Sequence, residues 1–530
     1  MEKTKNKKDK IIHDWIDLDD DVIINERYHK YNFSDESCNL KFPENIKIYI
    51  VGDLHGDFHA LEEILTKLTN LVEINNIKEI TDKEITDKEI IDKEIIGKNK
   101  KEQEKKKEKK LYRWKGGNSW FICLGDLIDR KRDTSSILED DPKFGKDSRT
   151  VGEDDYSERK IIDLLNMLSI QAKKDNGRVI KILGNHDLEQ IRINSNSIYL
   201  DYVSPKAYLE TIEDMLKDGI ININKANEYR QNFKDNRETQ SILRNYHFNP
   251  NGLYCQKLLG CETYLVLKID NWIFSHGGIL SKFVENFKKM KISNLDNNNN
   301  PDGLEYLKFI NNEMRKYMSR KNYCHKMAKD LFFQIDSPIY NRQMGSPCSS
   351  DEDFEKLKNE INKMEEKEIF GKLNSPLRIV VAHCPQVLVE ECQFTTWIPT
   401  DICKKTKLKC KSTRFNKISI KNDKKQYEPK FVGINGIKFN EDDLPQIWRL
   451  DVGHSRAFDT KWLLDVVKHT CSKGNNQNGW NREGLKNYFR ARRIQVLELK
   501  KESKNMSASV IISNKGLPRH WLSDKLLDKN

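Results

Sequence analysis

The residues best suited to chemistry in this 530-residue chain sit where short apolar runs end. Lys47-Ile-Tyr-Ile-Val51 reads as a buried strand that stops at Gly52 and then presents Asp53 and His55, two metal-ligand types one residue apart. On an extended or turning backbone residues i and i+2 point the same way, so these two can reach a common ion past the strand end. Gly52 and Gly56 leave the backbone free of Cβ atoms where an ion or phosphate comes close. Taken singly, this stretch also reads as a strand and a polar turn. The pattern recurs, however. Trp120–Leu124 runs into Gly125-Asp126, Arg178–Leu183 into Gly184-Asn185-His186, Trp272–Ser275 into His276, and Leu377–Ala382 into His383. One His after one strand is more often structural. Strand ends that repeatedly carry Asp, Asn or His, most beside Gly, point to one shared site at a sheet edge, where open sheets place theirs. Carboxylate, imidazole and amide oxygen suit hard or borderline divalent metals and need no thiolate. Asp126 can bridge two ions. Two ions about 3.5–4 Å apart clamp the attacking and leaving oxygens of a phosphoryl displacement and lower the pKa of a bound water.

The elements that must position these groups follow from periodicity. Leu61, Ile64, Leu65 and Leu68 recur at helical spacing after the first ligand pair, a strand, ligand loop, helix unit. Ile161, Leu164, Leu165 and Leu168 mark a second helix, after a polar stretch from Lys131 that reads as a loop. Residues 190–250 read as a polar, mostly helical cap, and 302–333 and 351–372 as further helices. Tyr264–Ile269 and Trp272–Ser275 read as strands joined by an Asp270-Asn271 turn. Ile447–Asp451 and Ile494–Leu499 read as late strands. Between residues 73 and 110 lies low complexity. Ile80, Ile85, Ile90 and Ile95 are spaced by five, which rotates them around a helix instead of lining one face, so a solvated helix or disordered insertion is expected. Residues 403–425 form a second, basic insertion, residues 1–40 a polar N-terminal extension, and residues 501–530 a C-terminal tail.

Composition limits the classes of function. Lys and Arg number 93 against 82 Asp and Glu, and the net charge of +11 favours anions without demonstrating nucleic-acid binding. Eleven cysteines without a C-x-x-C pair argue against a zinc finger. The N-terminus is polar and basic, and no apolar run is long enough to span a bilayer. The expectation is an intracellular, cytoplasmic protein with reduced thiols and no membrane span.

In order, Gly-Asp-Leu-His-Gly-Asp57, Gly-Asp-Leu-Ile-Asp-Arg130, Gly-Asn-His-Asp187, Ser-His-Gly-Gly278 and Ala-His-Cys-Pro-Gln386 resemble the motifs of the calcineurin-like metallophosphoesterases, and among these the serine/threonine phosphoprotein phosphatase branch. Trp448–Phe458 resembles the segment after the last ligand histidine in bacterial-like and protist members. The resemblance implies an α/β metallophosphoesterase fold over residues 41–500, with two packed mixed β-sheets flanked by helices and carrying the helical and low-complexity insertions. It implies a cofactor of two divalent metal ions, manganese, iron or zinc. Asp53, His55 and Asp126 would hold the first, and Asp126, Asn185, His276 and His383 the second. His186 would be the general acid, oriented by Asp129, and Arg130 and Arg342 would bind substrate phosphate. The reaction implied is hydrolysis of phosphomonoesters, phosphoserine or phosphothreonine in proteins first, by direct attack of metal-bound hydroxide. A dinucleoside polyphosphate or nucleotide hydrolase of the same fold is the alternative. A catalytically quiet scaffold binding RNA or protein is the alternative of another class. The chain departs from the family at Lys131, where the family's Gly stands, and at Ala382 and Cys384, where Gly and Thr are frequent, and from the protein phosphatase branch at Asp187, where Glu is usual. None of these removes an expected ligand. His454 and Arg456 lie within the late motif and are expected to pack or form ion pairs.

Overall fold

The computed structural model describes residues 16–17, 38–78, 108–129, 157–250, 252–260, 262–292, 303–319, 323–345, 351–373, 375–384, 388–389, 412–413, 431–432, 434–439, 444–452, 494–503 and 505–513. The strands are β1 (Ile16–Asp17), β2 (Asn39–Leu40), β3 (Lys47–Val51), β4 (Val72–Lys78), β5 (Glu108–Trp114), β6 (Trp120–Cys123), β7 (Arg178–Ile182), β8 (Glu262–Tyr264), β9 (Val266–Ile269), β10 (Trp272–Ser275), β11 (Arg378–Val381), β12 (Leu388–Val389), β13 (Ser412–Thr413), β14 (Phe431–Val432), β15 (Asn435–Ile437), β16 (Ile447–Arg449), β17 (Gln495–Glu502) and β18 (Asn505–Ile512). The α-helices are α1 (Phe58–Glu63), α2 (Ser157–Lys174), α3 (Asn185–Glu189), α4 (Pro205–Lys217), α5 (Ile223–Asn232), α6 (Arg237–Phe248), α7 (Leu253–Leu259), α8 (Ser281–Ile292), α9 (Gly303–Ser319), α10 (His325–Leu331) and α11 (Asp351–Glu366). None is long and apolar enough to cross a membrane among the described residues.

Two mixed sheets carry the architecture, in the orders β18-β17-β3-β6-β7-β8 and β13-β15-β16-β11-β10-β9-β2. Their central strands are parallel: β3, β6, β7 and β8 in one, and β10, β11 and β16 in the other. A parallel strand covered on both faces needs apolar residues at nearly every position, and β6, β10 and β11 are buried throughout. Consecutive parallel strands also need a long crossover, which α2 supplies between β6 and β7, burying Ile161, Leu164, Leu165 and Leu168. One apolar cluster contains residues of both sheets. In it Trp272 of β10 stacks on Trp448 of β16 with ring centroids 6.4 Å apart.

The run Tyr264–Ile269, expected as one strand, serves both sheets. Its start belongs to β8 and pairs with β7, and its end is β9 and pairs with β10. At the crossover the backbone has no strand partner for a moment, and Asn311 of α9 takes that place. Its Oδ1 accepts from the N–H of Leu265 (2.6 Å) and Val266 (3.3 Å), while its Nδ2 donates to Val266 O (2.8 Å). The Asp270-Asn271 turn is as expected, with Trp272 opposite Ile269.

Three margins differ from the sequence reading. The ends of the 73–110 segment are strands: β4 and β5 pair antiparallel from Val72 opposite Trp114 to Lys78 opposite Glu108. Tyr112 and Trp114 are buried there, at the alternate positions that share one face of a strand. The low-complexity residues 79–107 lie outside the described residues, as do the loop 130–156 and most of 403–425. The expected tail contributes β18, which pairs along the whole of β17. Met506, Ala508 and Val510 pack on the core at period two, and Ser503 at the hairpin turn has φ +54°. In the N-terminal extension β1 pairs with β5, and β2 lies parallel to β9. The cap has a core of its own, where Tyr208, Ile212 and Met215 of α4 meet Ala226 and Tyr229 of α5 and Leu243 of α6.

Replacing Asn311 with Leu keeps its bulk but strands buried backbone groups at the sheet crossover, at about 1–3 kcal/mol for each group left unpaired. The midpoint of urea unfolding should fall accordingly. An unchanged midpoint would mean that other groups satisfy this backbone. Replacing residues 79–107 with a short Gly-Ser linker should hardly move the melting temperature, because loop closure changes by only about 0.6 kcal/mol per doubling of length. Collapse of folding would show that this segment packs.

Candidate metal centre

Asp53 and His55 follow β3, Asp126 and Asp129 follow β6, and Asn185 and His186 open α3 after β7. From the other sheet, His276 follows β10 and His383 follows β11. Each chain segment must stop extending and turn its side chain back. His55, Asp126, Asp129 and His383 do so in the left-handed region, at φ +41°, +48°, +65° and +64°. For non-glycine residues this costs about 1–3 kcal/mol each. Two glycines permit the crowding. A Cβ on Gly184 would lie 2.2 Å from Asp126 Oδ1, and one on Gly52 would lie 2.4 Å from the Leu450 carbonyl oxygen beyond β16. Gly52 thereby lets the end of one sheet touch the end of the other.

The hydrogen bonds determine which ring nitrogens carry protons. His276 Nδ1 lies 2.7 Å from the Leu124 carbonyl oxygen, which can only accept, so Nδ1 donates. Its Nε2 then faces Asn185 Oδ1 (3.1 Å) and Asp126 Oδ2 (3.3 Å). The same logic holds at His55, whose Nδ1 faces Ile128 O at 3.3 Å and whose Nε2 lies 3.6 Å from Asp126 Oδ2 and 3.8 Å from Asp53 Oδ2. The Asn185 amide is oriented as well. Its Nδ2 donates to Tyr199 OH (3.1 Å), Tyr199 donates to Tyr340 OH (2.8 Å), and Tyr340 donates to Glu189. Asn185 Oδ1 is therefore left facing the cluster. His383 Nε2 is buried without a hydrogen-bond partner among the described residues.

Carboxylate oxygens and ring nitrogens thus converge on one buried spot, an arrangement suited to a cation. Ligand atoms of Asp126, His276 and His383 lie within 4.8 Å of one another, and so do those of His55, Asp126 and His186. Burial, then the neighbouring Asp451 and Asp126 carboxylates, pushes the Asp53 carboxyl well above its usual range. Burial also acts to raise the Asp126 carboxyl, but His276, His186 and His55 outweigh it and hold the group well below. Burial, with His276 and Arg342 beside it, keeps His383 neutral and able to donate its lone pair. The donor set of oxygens and imidazoles fits hard or borderline divalent cations.

His186 is held differently from His55 and His276. Its Nδ1 lies 2.8 Å from the Asp129 carboxylate, not from a carbonyl, and its backbone N–H donates to Asp126 Oδ1 at 2.9 Å. Its ring meets Tyr199 and Tyr202 edge-on, with centroids 5.0 and 5.1 Å away. Arg342 reaches Cys384 Sγ at 3.8 Å, next to His383. Arg130 lies outside the described residues. Asp187 ties the loops after β6 and β7 together by accepting from Leu127 N and Gly184 N, both at 2.9 Å.

The sequence reading passed over several groups. Asp451, fully buried at the end of β16, hydrogen-bonds Asp53. The available signal was that it ends a strand, as the other acidic residues do. Tyr199, Tyr202 and Tyr340 carry no motif of their own and meet the site only through folding.

The site makes a direct prediction for metal content. Asp126→Ala should bind neither ion by elemental analysis, because Asp126 faces both groups of imidazoles. Two ions retained per chain would put the metal centre elsewhere.

The model of the family described as calcineurin-like phosphoesterase matches residues 46–387. An uncharacterized protein of Acanthamoeba polyphaga mimivirus is 24% identical over 316 residues, which cover 58% of this chain and 94% of that protein. Among solved structures, the cold-active protein-tyrosine phosphatase of a psychrophilic Shewanella sp. superposes with a TM-score of 0.37 at 13% identity, covering 91% of this chain and 86% of that one. A further structure of a cold-active protein tyrosine phosphatase gives a TM-score of 0.38 at 12% identity, covering 91% and 83%. The family match takes in more than half of the chain and every strand end that carries a histidine of the cluster, and the protein belongs to the calcineurin-like phosphoesterase family.

Proposed function

We propose that the protein is a metal-dependent phosphomonoester hydrolase of the serine/threonine phosphoprotein phosphatase branch, acting on phosphoserine and phosphothreonine in proteins. What carries this reading is the Asp129–His186 pair standing at a buried cluster of carboxylate and imidazole groups that could hold metal. Asp53, His55 and Asp126 would hold one divalent ion and Asp126, Asn185, His276 and His383 the other. Such ions supply Lewis acidity toward a phosphoryl oxygen and lower the pKa of water. The protein's own part begins with binding. Arg342, beside Cys384, and Arg130 would hold phosphate oxygens through planar guanidinium forks. His186 then gives the Nε2 proton to the leaving oxygen, while Asp129 keeps Nδ1 protonated and the ring in place. A carboxylate partner suits this role, because it stabilises the imidazolium that must exist before transfer. The carbonyl partners of His55 and His276 suit neutral ligands instead.

Leaving-group dependence tests the division of labour. His186→Ala should retain both ions and lose about 10²–10⁴-fold in kcat on an alkyl phosphate. The loss should shrink on nitrophenyl phosphate, whose leaving group needs little protonation. Arg130→Ala should slow both substrates alike and raise KM. A loss for His186→Ala that is equal on both, with metals intact, removes it as the acid. With Mn²⁺, phosphopeptides should be turned over faster than dinucleoside polyphosphates. The reverse order would indicate a nucleotide hydrolase, and bound metal without turnover of any phosphoester would indicate a scaffold.

A further inference from the structure

The helical cap contributes one residue to this machinery that no motif marks. Arg244 of α6 is 5% exposed, and each of its three nitrogen positions donates to a different element. Nη2 reaches Asp129 Oδ1 after β6 (3.2 Å), Nη1 reaches Glu158 Oε2 on α2 (2.9 Å), and Nε reaches Gln190 Oε1 just after α3 (2.6 Å). Gln190 is fully buried, and its Nε2 donates to Asp129 Oδ2 at 2.7 Å. Asp129 Oδ2 is the oxygen that also meets His186 Nδ1. We propose that Arg244 is the positioning residue of His186, holding Asp129 both directly and through Gln190. This inference rests on the reading of His186 as the acid.

Arg244 acts in two ways. It orients Gln190, because an amide whose oxygen accepts from Arg244 Nε must turn its NH₂ toward Asp129. With the amide reversed, an oxygen would face the carboxylate. It also supplies charge. Asp129 and Glu158 are both buried, and Asp129 N donates to Glu158 Oε1 at 3.1 Å, so two carboxylates approach each other around one guanidinium. Without Arg244 they would repel and Asp129 would lose its fixed plane. A lysine carries the charge but cannot reach three acceptors from one rigid plane. The Phe248 ring, 4.1 Å from the guanidinium carbon, packs against the group. Through this residue, docking of the α4–α6 segment becomes a condition for an aligned acid.

The test compares His186→Ala, Arg244→Ala, the double variant, Arg244→Lys and Gln190→Met on alkyl and nitrophenyl phosphates. Metal content and melting temperature are measured on each. Arg244→Ala should lower kcat on the alkyl phosphate by about 10- to 100-fold, the scale found for supporting residues. KM and both ions should be retained, and the nitrophenyl phosphate should be affected much less. The double variant should be no slower than His186→Ala alone, since the two act in one step. Added guanidinium should restore part of the loss in Arg244→Ala. Losses that multiply in the double variant, or fall equally on both substrates, overturn the proposal and leave Arg244 as a structural clamp. If Arg244→Ala does not fold, Arg244→Lys and Gln190→Met decide by the same leaving-group criterion. If His186→Ala shows that dependence and the Arg244 and Gln190 variants do not, only this inference fails. If His186→Ala lacks it, the acid assignment fails and this inference falls with it.

Discussion

The carboxylate of Asp126 faces the Nε2 atoms of His55 and His276 at the meeting point of two sheets, 3.6 and 3.3 Å away. Much of the nearby structure serves to hold that arrangement. The carbonyls of Leu124 and Ile128 accept from the Nδ1–H groups of His276 and His55 and so turn their Nε2 atoms toward the site. The backbone enters the left-handed region at four of the site residues. Strain of this kind persists only where the surroundings over-determine it. Here they do, since β3, β6, β10 and β11 are buried almost without interruption just before the turns.

Support then spreads outward through hydrogen bonds with a definite direction. Glu189, Tyr340 and Tyr199 pass orientation inward to the Asn185 amide, and Asp187 joins the loops after β6 and β7. Both sets bind groups whose own freedom would blur the site. The cap reaches the same region from the far side. Residues of α4, α5 and α6 form a small core of their own, Phe248 at the end of α6 joins the main apolar cluster, and buried polar contacts add to the attachment. Arg159 and His247 both contact Asp214 at 2.6 and 2.9 Å, linking α2 to α4 and α6 beside Arg244. Burial pushes the His247 imidazole down to about 4, against the pull of Asp214, so this link stays neutral on the imidazole side near pH 7. Contacts of this sort have strict geometry, which makes the cap a precise attachment and not a loose cover.

Local chemistry in the sequence determined the strand ends, their ligand types and the expected family. A buried parallel strand must be apolar nearly throughout, and a ligand must follow it at once, so both signals are contiguous in the chain. Asp53, His55, Asp126, Asn185, His276 and His383 stood out as candidates for that reason, and a hydrogen bond joins His186 to Asp129, the pair the family resemblance implied. The sheet crossover at Leu265 was not legible. Tyr264–Ile269 is apolar but for Lys268 whether it serves one sheet or two, and the residue that decides, Asn311, lies 46 positions away. The margins were missed for a related reason. β4, β5 and β18 alternate only over short spans whose apolar side becomes meaningful when a partner strand is present. Asp451 looked like the end of an ordinary late strand until Gly52 was seen to bring β3 against Leu450. Tyr199, Tyr340, Gln190 and Arg244 reach the site through contacts mostly with residues far off in the chain, and such contacts leave no periodicity behind. Sequence therefore determined which groups could do the chemistry. Tertiary structure alone decided which tautomer, amide face and carboxylate plane they present, because those depend on partners that folding brings from elsewhere in the chain.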